Sequence, residues 1–568
     1  MSSGSKLAAL GRMLERPGDS GQDDLFRRFE QLNEIGAALS LEKNLNALLE
    51  KIVIAARTIT RADGGTLYLV DGKAGQQQLR FEIVRTASLD IALGGTTGNP
   101  IPFYPIQLYR DGDPNTSMVA AFAALTGQTV NIADAYTEMG FDFSGTRRFD
   151  QKTGYRSKSF LTVPMKNHGG EIIGVLQLIN CHDPRTGEIV PFSQSDQRLA
   201  ESLASQAAVA LTNRSLINQL EHLFESFIKL INEAIDEKSP YTAGHCQRVP
   251  ALTMLLAEAV NDTKSGPLRD FKMTENDRYE LRIAGLLHDC GKITTPVHIV
   301  DKATKLETIF DRINLIDTRF EVLKRDAEIR ALAKKVELAR TPGVEEITRR
   351  QRTFEIDGEL RDALRQIEDD RKFLRRCNIG SESMSKDEQD RVRHIGSDYK
   401  WCDPSGNTAN FLTNDELTHL TIRHGTLTAE ERDIINHHIV STIKMLEVLP
   451  WPKHLHNVPE YAGGHHERMD GKGYPRGLTR DQMSLQARIM GIADIFEALT
   501  AKDRPYKRGK TLSESLHILG KFKLNGHIDP DLFEIFVREK VYLKYAEQFL
   551  DPEQIDVVDE TRIPGYVP

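Results

Sequence analysis

The residues of this chain that could do chemistry are histidines and aspartates in its second half. His288 and Asp289 stand side by side at the end of an apolar stretch, IAGLLHDCGK, which also contains Gly291 and Lys292. An imidazole beside a carboxylate at the end of a buried helix is unfavourable unless another group satisfies both. A divalent metal would do so, because Asp289 can bridge two ions while His288 supplies a nitrogen to one of them.

Further imidazoles and one more carboxylate in this half match the requirement. They are His245 in YTAGHCQRV, His438 in LTAEERDIINHHIV, the adjacent His465 and His466, and Asp494 in IMGIADIFEALTA. With His288 and Asp289 they make five imidazoles and two carboxylates. This set suffices for two metal ions about 3.5–4 Å apart, with open positions for water and phosphate.

Each of these residues also has an ordinary structural explanation. A lone histidine on an apolar helix is more often a hydrogen-bonded core residue, and a hydrogen bond to the backbone would by itself explain Asp494. His437 competes with His438 for the same role, since the two are neighbours on a helix that begins with a Thr428/Glu431 capping box. The joint occurrence of all these residues favours a metal site.

The motifs around these residues resemble those of the HD-GYP phosphodiesterases. The resemblance rests on HD-x-GK at residues 288–292 and on HHE-x-x-DGKGYP at 465–475, and it continues through RIMGIADIFEALTAKDRPYK. It covers roughly residues 225–302 and 416–525. It implies an all-α helical bundle of the HD superfamily that hydrolyses a cyclic dinucleotide, usually cyclic di-GMP, with two divalent metal ions, iron or manganese.

The resemblance also implies a role for each matching residue. The implied metal ligands are His245, His288, Asp289, His438, His465, His466 and Asp494. His438 is preferred to His437 because counting on from residues 427–428 in the family pattern reaches the second histidine. Some relatives carry a carboxylate four residues before the first of these histidines, which recruits a third metal. Tyr241 stands there in this chain, so two metals are expected.

The substrate side of the site is implied in the same way. Lys292 would contact phosphate and help to protonate the leaving oxygen, acting with Asp289 as the catalytic pair. Tyr474, Arg504 and Lys507 would hold the dinucleotide through a loop contact and two cations. Glycines at positions 471 and 473 and a proline at 475 allow the loop to present Tyr474.

The first half of the chain predicts an α+β domain with an antiparallel sheet. Apolar residues at spacings of three and four predict a helix from residue 23 to about 59. Short apolar runs between turns predict strands at 65–70, 79–84, 160–164 and 171–180.

Residues 154–180, GYRSKSFLTVPMKNHGGEIIGVLQLIN, resemble a GAF domain of the cyclic-nucleotide phosphodiesterase kind. The family signature is matched by Asn180, Phe192 and Asp196, whereas Cys181 and Gln197 replace a lysine and a glutamate. The resemblance implies a small-molecule ligand, a cyclic nucleotide first, at the three matching residues. A ligand-free dimerisation and packing domain is the alternative.

A single long helix is predicted to join the two halves over residues 195–236. Its apolar seam comprises Leu203, Ala207, Ala210, Arg214, Ile217, Leu220, Phe224, Phe227, Ile231 and Ala234. This near-heptad spacing favours a homodimer through the same helix of a second subunit. The alternative is a helix packed on its own domain.

The resulting domain order has five parts. They are a loose leader (1–22), a GAF sensor domain (23–200), the linker helix (195–236), an HD-GYP phosphodiesterase domain (237–550) with a helical insertion at about 303–415, and a C-terminal tail (551–568). The insertion is charge-rich over 305–376 and broken at Pro342-Gly343, which predicts a solvated helical hairpin.

Composition narrows the class of protein. A formal net charge of −8 argues against a dedicated nucleic-acid binder. No apolar run approaches the roughly 18–20 residues that span a bilayer, and residues 1–21 lack a secretory signal. The five cysteines show no paired spacing and indicate a reduced compartment. The expected location is therefore the cytoplasm.

Two other functions fit parts of the pattern. The insertion favours a catalytically silent receptor, because it could occlude the site or present a docking surface. The third hypothesis is an HD-type hydrolase of another nucleotide, such as 3′,3′ cyclic GMP–AMP or a guanosine polyphosphate.

Overall fold

The computed structural model describes residues 21–73, 75–110, 112–238, 244–380, 383–502 and 509–567. The chain divides into two compact units, residues 1–224 and residues 225–568. Across the described ranges, no helix is both long and apolar enough to cross a membrane.

An antiparallel sheet forms the centre of the first unit. Its strand order is β3-β2-β1-β9-β8-β7, with β4 beside β2 and β10 beside β9, and β5 and β6 form a separate hairpin. The strands are β1 Ala62–Asp71, β2 Gln78–Thr86, β3 Ile91–Gly94, β4 Ile106–Gln107, β5 Tyr109–Arg110, β6 Asp113–Pro114, β7 Val130–Ile132, β8 Phe160–Lys166, β9 Ile172–His182 and β10 Ile189–Val190. The predicted α+β class and all four predicted strands are confirmed.

Five helices of the described residues belong to or begin in this unit. They are α1 Gly21–Leu41, α2 Leu45–Thr60, α3 Val119–Thr126, α4 Ser144–Thr153 and α5 Gln194–Lys238. The single helix predicted from residue 23 to 59 is thus two helices. The Asn44 side chain accepts the Ala47 amide and caps the second one, so the chain breaks there despite its continuous apolar spacing.

The core of this unit lies between the sheet and helices α1, α2 and α5. Helix α2 buries a face that includes Ile52 and Val53, and α5 buries Leu203, Ala204 and Ala207 in the same apolar cluster. The first part of the predicted linker seam is therefore core of its own domain, as the alternative expected.

Beyond this core, α5 exposes an apolar face. We call this set the linker face: Leu216, Leu220, Leu223, Phe227 and Leu230, which are 46–64% exposed. Their spacing of four and three residues keeps them on one side of the helix. The linker face shares Leu220 and Phe227 with the predicted seam, and Ile217 and Ile231 of that seam are also exposed, at 46% and 38%.

The second unit is built mainly of helices. After the end of α5 they are α6 His245–Asp262, α7 Glu275–Leu287, α8 Val297–Val300, α9 Ile313–Arg340, α10 Glu346–Asn378, α11 Lys386–Asp398, α12 Asn414–Leu420, α13 Ala429–Asn436, α14 His438–Glu447, α15 Val458–Gly463, α16 Leu485–Thr500, α17 Leu512–Leu524, α18 Pro530–Arg538 and α19 Val541–Phe549. The predicted all-α class of this half is confirmed apart from one small hairpin, β11 Lys400–Cys402 with β12 Thr408–Asn410.

The insertion contains the predicted helical hairpin, α9 and α10, with the break at 341–345. It is more than a solvated hairpin, because Phe320, Leu374, Phe411 and other buried residues between 306 and 420 form an apolar cluster of their own. Ion pairs reinforce this cluster, among them Arg319 Nη2 with Glu416 Oε1 at 2.8 Å.

One buried ion pair joins three helices of the first unit. Arg28 of α1 pairs with Asp196 at the start of α5, and its Nε donates to the Ile59 carbonyl at the end of α2. The two side chains are only 9% and 3% exposed. Asp196 also accepts the Ser193 amide at 2.9 Å and so caps α5.

We expect Asp196→Asn to lower the free energy of unfolding of the first unit by about 3 kcal/mol, because a buried guanidinium would lose its counter-charge. Urea unfolding of the full chain, followed by hydrogen exchange at β1 and β9, measures this. The control Glu221→Gln, at an exposed carboxylate farther along α5, should shift unfolding by under ~0.5 kcal/mol. Equal stability of D196N and the control would contradict this role of the pair.

Candidate metal centre

Five segments of the second unit bring the predicted metal ligands together. His288 follows α7, whose N-terminus is fixed by a capping box of Thr274 and Asp277. His245 is the first residue of α6, and His438 is the first residue of α14. His465 and His466 directly follow the C-cap of α15, and Asp494 lies in the middle of α16.

The first group of donors comprises His245, His288 and Asp289, whose ligand atoms lie within 4.8 Å of one another. Asp289 Oδ2 is 3.0 Å from His245 Nε2 and 3.2 Å from His288 Nε2. Asp494 joins this group, with its Oδ1 at 3.4 Å from His245 Nε2 and 3.9 Å from His288 Nε2.

The second group comprises Asp289, His438, His465 and His466, again within 4.8 Å of one another. Asp289 Oδ1 is 3.2 Å from His438 Nε2, and His438 Nε2 is 3.3 Å from His466 Nε2. Asp289 is therefore common to both groups, and each of its oxygens faces one of them. That is the arrangement of a carboxylate that bridges two ions.

His438 rather than His437 belongs to this centre. His438 is 2% exposed and its Nε2 faces Asp289, whereas His437 lies on the exposed side of the same junction.

Backbone carbonyls fix the orientation of three imidazoles. Nδ1 of His288, His438 and His465 each lies 2.6 Å from the carbonyl three residues earlier, of Gly285, Ile435 and Ala462 respectively. A carbonyl can only accept, so Nδ1 of each ring carries the proton and Nε2 presents a lone pair to the centre.

Two buried atoms of the centre lack a hydrogen-bond donor among the residues that the structure describes. They are His465 Nε2 and Asp289 Oδ1. Buried polar atoms without partners are rare in folded proteins. The donor set of imidazole nitrogens and carboxylate oxygens fits a divalent metal ion, which would satisfy both atoms.

The electrostatics of the centre suit a cation. Burial and the neighbouring His288 lower the pKa of His465 to about 4, and burial with His465 and His438 holds the pKa of His466 well below its usual value. Both imidazoles are therefore neutral, the form that binds metal. Burial opposes ionisation of Asp289, yet the neighbouring Lys292 ammonium holds its pKa well below the usual value.

Glu497, whose role was not predicted from the sequence, orients His245. Its Oε2 lies 2.6 Å from His245 Nδ1, and its Oε1 accepts from Arg248 Nε at 2.7 Å. Burial alone would raise the pKa of Glu497, but His245 and Arg248 lower it to about 2. Burial lowers the pKa of His245, whereas bonds to Asp289 and Glu497 raise it to about 9. The sequence holds one indication of this role, since Glu497 is a charged residue three positions after Asp494 on the same apolar helix.

Lys292 and Tyr474 lie at the edge of the centre. Lys292 Nζ pairs with Asp289 Oδ2. The Tyr474 ring stacks on His466, with centroids 4.8 Å apart and an interplanar angle of 25°. Arg504 and Lys507, the other predicted substrate residues, lie outside the described residues, as does Tyr241.

A buried carboxylate, Glu467, holds the loop that carries Tyr474. It accepts from the amides of Arg476 at 2.7 Å and Leu478 at 2.9 Å. The loop passes so close that a Cβ on Gly473 would lie 2.5 Å from the Glu467 Cα, which only glycine allows. Glu467 is the glutamate of the HHE-x-x-DGKGYP motif, whose sequence does not predict this role.

The three residues predicted to bind a ligand in the first unit make contacts within that unit. Asn180, at φ 59°, accepts from the Lys158 amide and donates to the Arg156 carbonyl. Phe192 is buried in the core, and Asp196 pairs with Arg28. These contacts account for the three residues structurally, and their part in ligand binding stays a prediction.

Both units match known domain families. Residues 44–211 match the GAF domain, and residues 242–367 and 413–532 match two families described as HD domain. The first unit thus contains a GAF domain and the second an HD domain, as the resemblance implied.

Three relatives illustrate the likeness. A cyclic di-GMP phosphodiesterase of Pseudomonas aeruginosa is 46% identical over 13% of this chain and 17% of its own length. A 3′3′-cGAMP-specific phosphodiesterase of Vibrio cholerae is 46% identical over 14% of this chain and 19% of its own length. A dual 3′,5′-cyclic-AMP and -GMP phosphodiesterase of Takifugu rubripes is 26% identical over 36% of this chain and 21% of its own length. The chain spans about a fifth of the length of each of these relatives.

We expect Glu497→Gln to weaken the binding of manganese by about 10- to 100-fold, because His245 Nδ1–H would lose its carboxylate acceptor. Competition with a chelator of known affinity measures the change on the full chain. Glu547→Gln, at an exposed position of α19, is the matched control. If both variants bind manganese like the unaltered protein, Glu497 does not support the centre.

Proposed function

We propose that this chain, in which a GAF domain is joined to an HD domain, is a metal-dependent phosphodiesterase that opens a cyclic dinucleotide, cyclic di-GMP first, to the linear dinucleotide, with GMP as the alternative end product. The observation that carries the proposal is the position of Asp289 between two groups of imidazoles, with buried lone pairs directed at shared points. The curated relatives support the choice of a cyclic dinucleotide.

Two sets of residues would hold the metal ions, iron or manganese. One consists of His245, His288, Asp289 and Asp494, and the other of Asp289, His438, His465 and His466. When bound, the two ions would supply an acidified water and positive charge beside the scissile phosphodiester.

The chain's own groups would bind the substrate and move a proton. The Lys292 ammonium, next to Asp289, is placed to pair with a phosphate oxygen and to donate a proton to the departing oxygen. The Tyr474 ring lies flat beside His466, which offers a face for a purine base. Arg504 and Lys507 are proposed to contact phosphate and guanine on the strength of their motif alone.

A second substrate has a specific observation in its favour. A relative at 46% identity is named for 3′3′-cGAMP. Competition between cyclic di-GMP and 3′,3′ cyclic GMP–AMP in one assay therefore measures the purine specificity of this chain. The silent receptor has less support, because the donor set of the centre is complete.

The GAF domain is proposed to regulate this activity. A cyclic nucleotide is the first candidate ligand, with Asn180, Phe192 and Asp196 as the predicted residues. Helix α5 begins after the GAF sheet and ends at Lys238, shortly before His245, so it is the covalent path for a signal.

The linker face is proposed to form a homodimer with the same face of a second chain. Asn213 lies three residues before Leu216 and so continues the alternating three- and four-residue spacing of the linker face. Leucines with a single asparagine at alternating three- and four-residue spacing are typical of a two-stranded parallel coiled coil, in which the asparagine fixes the register.

We expect the full chain, loaded with manganese or iron under reducing conditions, to linearise cyclic di-GMP, and the double variant His288→Ala/Asp289→Ala to have lost turnover. The double variant removes one donor and the bridging carboxylate. Product identification by liquid chromatography and mass spectrometry measures the reaction, with 3′,3′ cyclic GMP–AMP as the competing substrate.

The two neighbouring histidines provide a matched pair of controls for that assay. His437→Ala should leave turnover close to that of the unaltered chain, whereas His438→Ala should lose most of it. Undiminished turnover in the His288/Asp289 double variant would overturn the proposed mechanism. Tight binding without hydrolysis by the unaltered, metal-loaded chain would favour the receptor instead.

We expect Leu220→Glu combined with Phe227→Glu to convert a dimer into a monomer, because two acids per chain would face each other in an apolar seam. Light scattering after gel filtration gives the mass. Lys229→Glu adds an acid away from the linker face and should remain dimeric. A mass that is monomeric without any substitution, or dimeric with both, would contradict the proposal.

A further inference from the structure

The last residue of helix α5 contacts the backbone around Lys292. Lys238 Nζ donates to the Thr295 carbonyl at 2.6 Å, to the Lys292 carbonyl at 3.3 Å and to the Ile293 carbonyl. These carbonyls lie in or directly after the short 3-10 helix Cys290–Thr294, which follows Asp289. One side chain therefore binds three carbonyls within residues 292–295, the segment that carries the proposed phosphate ligand.

The carbonyls at this point require a donor. A helix leaves its last carbonyls without partners inside the helix, and a cation there is favourable because the carbonyl dipoles point towards it. Within the 3-10 helix, the Thr295 amide reaches the Lys292 carbonyl at 3.1 Å. Lys238 supplies the remaining donors and neutralises this end of the segment.

A second residue of the same turn reaches the segment that carries His245. Asp236 Oδ2 accepts the Gly244 amide at 3.3 Å, and Gly244 is the N-cap of the helix that begins at His245. The final turn of α5 thus contacts the start of one ligand-bearing segment and the backbone of another. Neither contact belongs to the metal centre itself.

We propose that Lys238 is a positioning residue of the reaction: it holds the backbone of residues 292–295 so that the Lys292 ammonium stays beside Asp289 and the substrate phosphate. This inference rests on the proposed function.

The first test measures the backbone directly and needs no activity. In Lys238→Met, amide hydrogen exchange over residues 290–297 of the metal-loaded full chain should rise about tenfold, because bonds to a charged donor are lost. Lys238→Arg should restore protection, since a guanidinium can donate to the same carbonyls. Glu237→Gln, exposed in the same turn, should behave like the unaltered chain. Unchanged exchange in K238M would overturn the proposal.

The second test asks whether Lys238 acts through Lys292. With cyclic di-GMP, K238M should lower kcat about tenfold at unchanged metal content and nearly unchanged KM, because the proton donor is displaced while the ions remain bound. K238R should recover most of the loss. In the double variant with Lys292→Met, the loss should equal that of Lys292→Met alone.

The outcomes separate this inference from the proposed function. Multiplicative losses in the double variant, or a fall in metal content in K238M, would show that Lys238 does not act by placing Lys292. If the unaltered chain hydrolyses no cyclic dinucleotide, the proposed function fails, and the exchange experiment still decides whether Lys238 holds the segment.

Discussion

The shared carboxylate of Asp289 is the interaction on which the second unit depends. One oxygen faces His245 and His288, and the other faces His438. A charged, almost fully buried carboxylate is costly without compensating positive charge. Lys292 provides part of that charge, and the neutral imidazoles of His465 and His466 provide none. The arrangement is therefore stabilised best by cations between the rings, which connects folding of this region to metal binding.

The rest of the centre consists of groups that hold those donors in place. Backbone carbonyls fix three rings through Nδ1, and Glu497 with Arg248 fixes His245. Glu467 holds the loop that places Tyr474 against His466. Removing such a support leaves every ligand present but misplaced, so its effect appears in affinity or rate before it appears in the fold.

The sequence predicted the donors that the structure brings together, but not the groups that support them. Apolar helices ending in His288-Asp289 or enclosing Asp494 are visible as patterns, because a charged residue among apolar ones needs a reason. Glu497 is such a residue too, yet its partner His245 lies 252 positions away, and a pairing at that distance has no local signature.

The same limit explains the linker seam: periodicity located the helix, whereas only tertiary packing shows that Leu203 and Ala207 are core and that Leu216 and Leu223 are exposed. Local cap chemistry at Asn44 divided a helix whose apolar spacing is continuous.

The most direct measurement of the central claim is the metal content of the full chain purified anaerobically, compared with that of Asp289→Asn. If Asp289 bridges two ions, the unaltered chain should hold about two iron or manganese ions per chain, and the single substitution should release both. His465→Ala, which removes a donor from only one group, should retain more metal than Asp289→Asn. A chain that binds no divalent metal, or an Asp289→Asn variant that keeps both ions, would contradict the account.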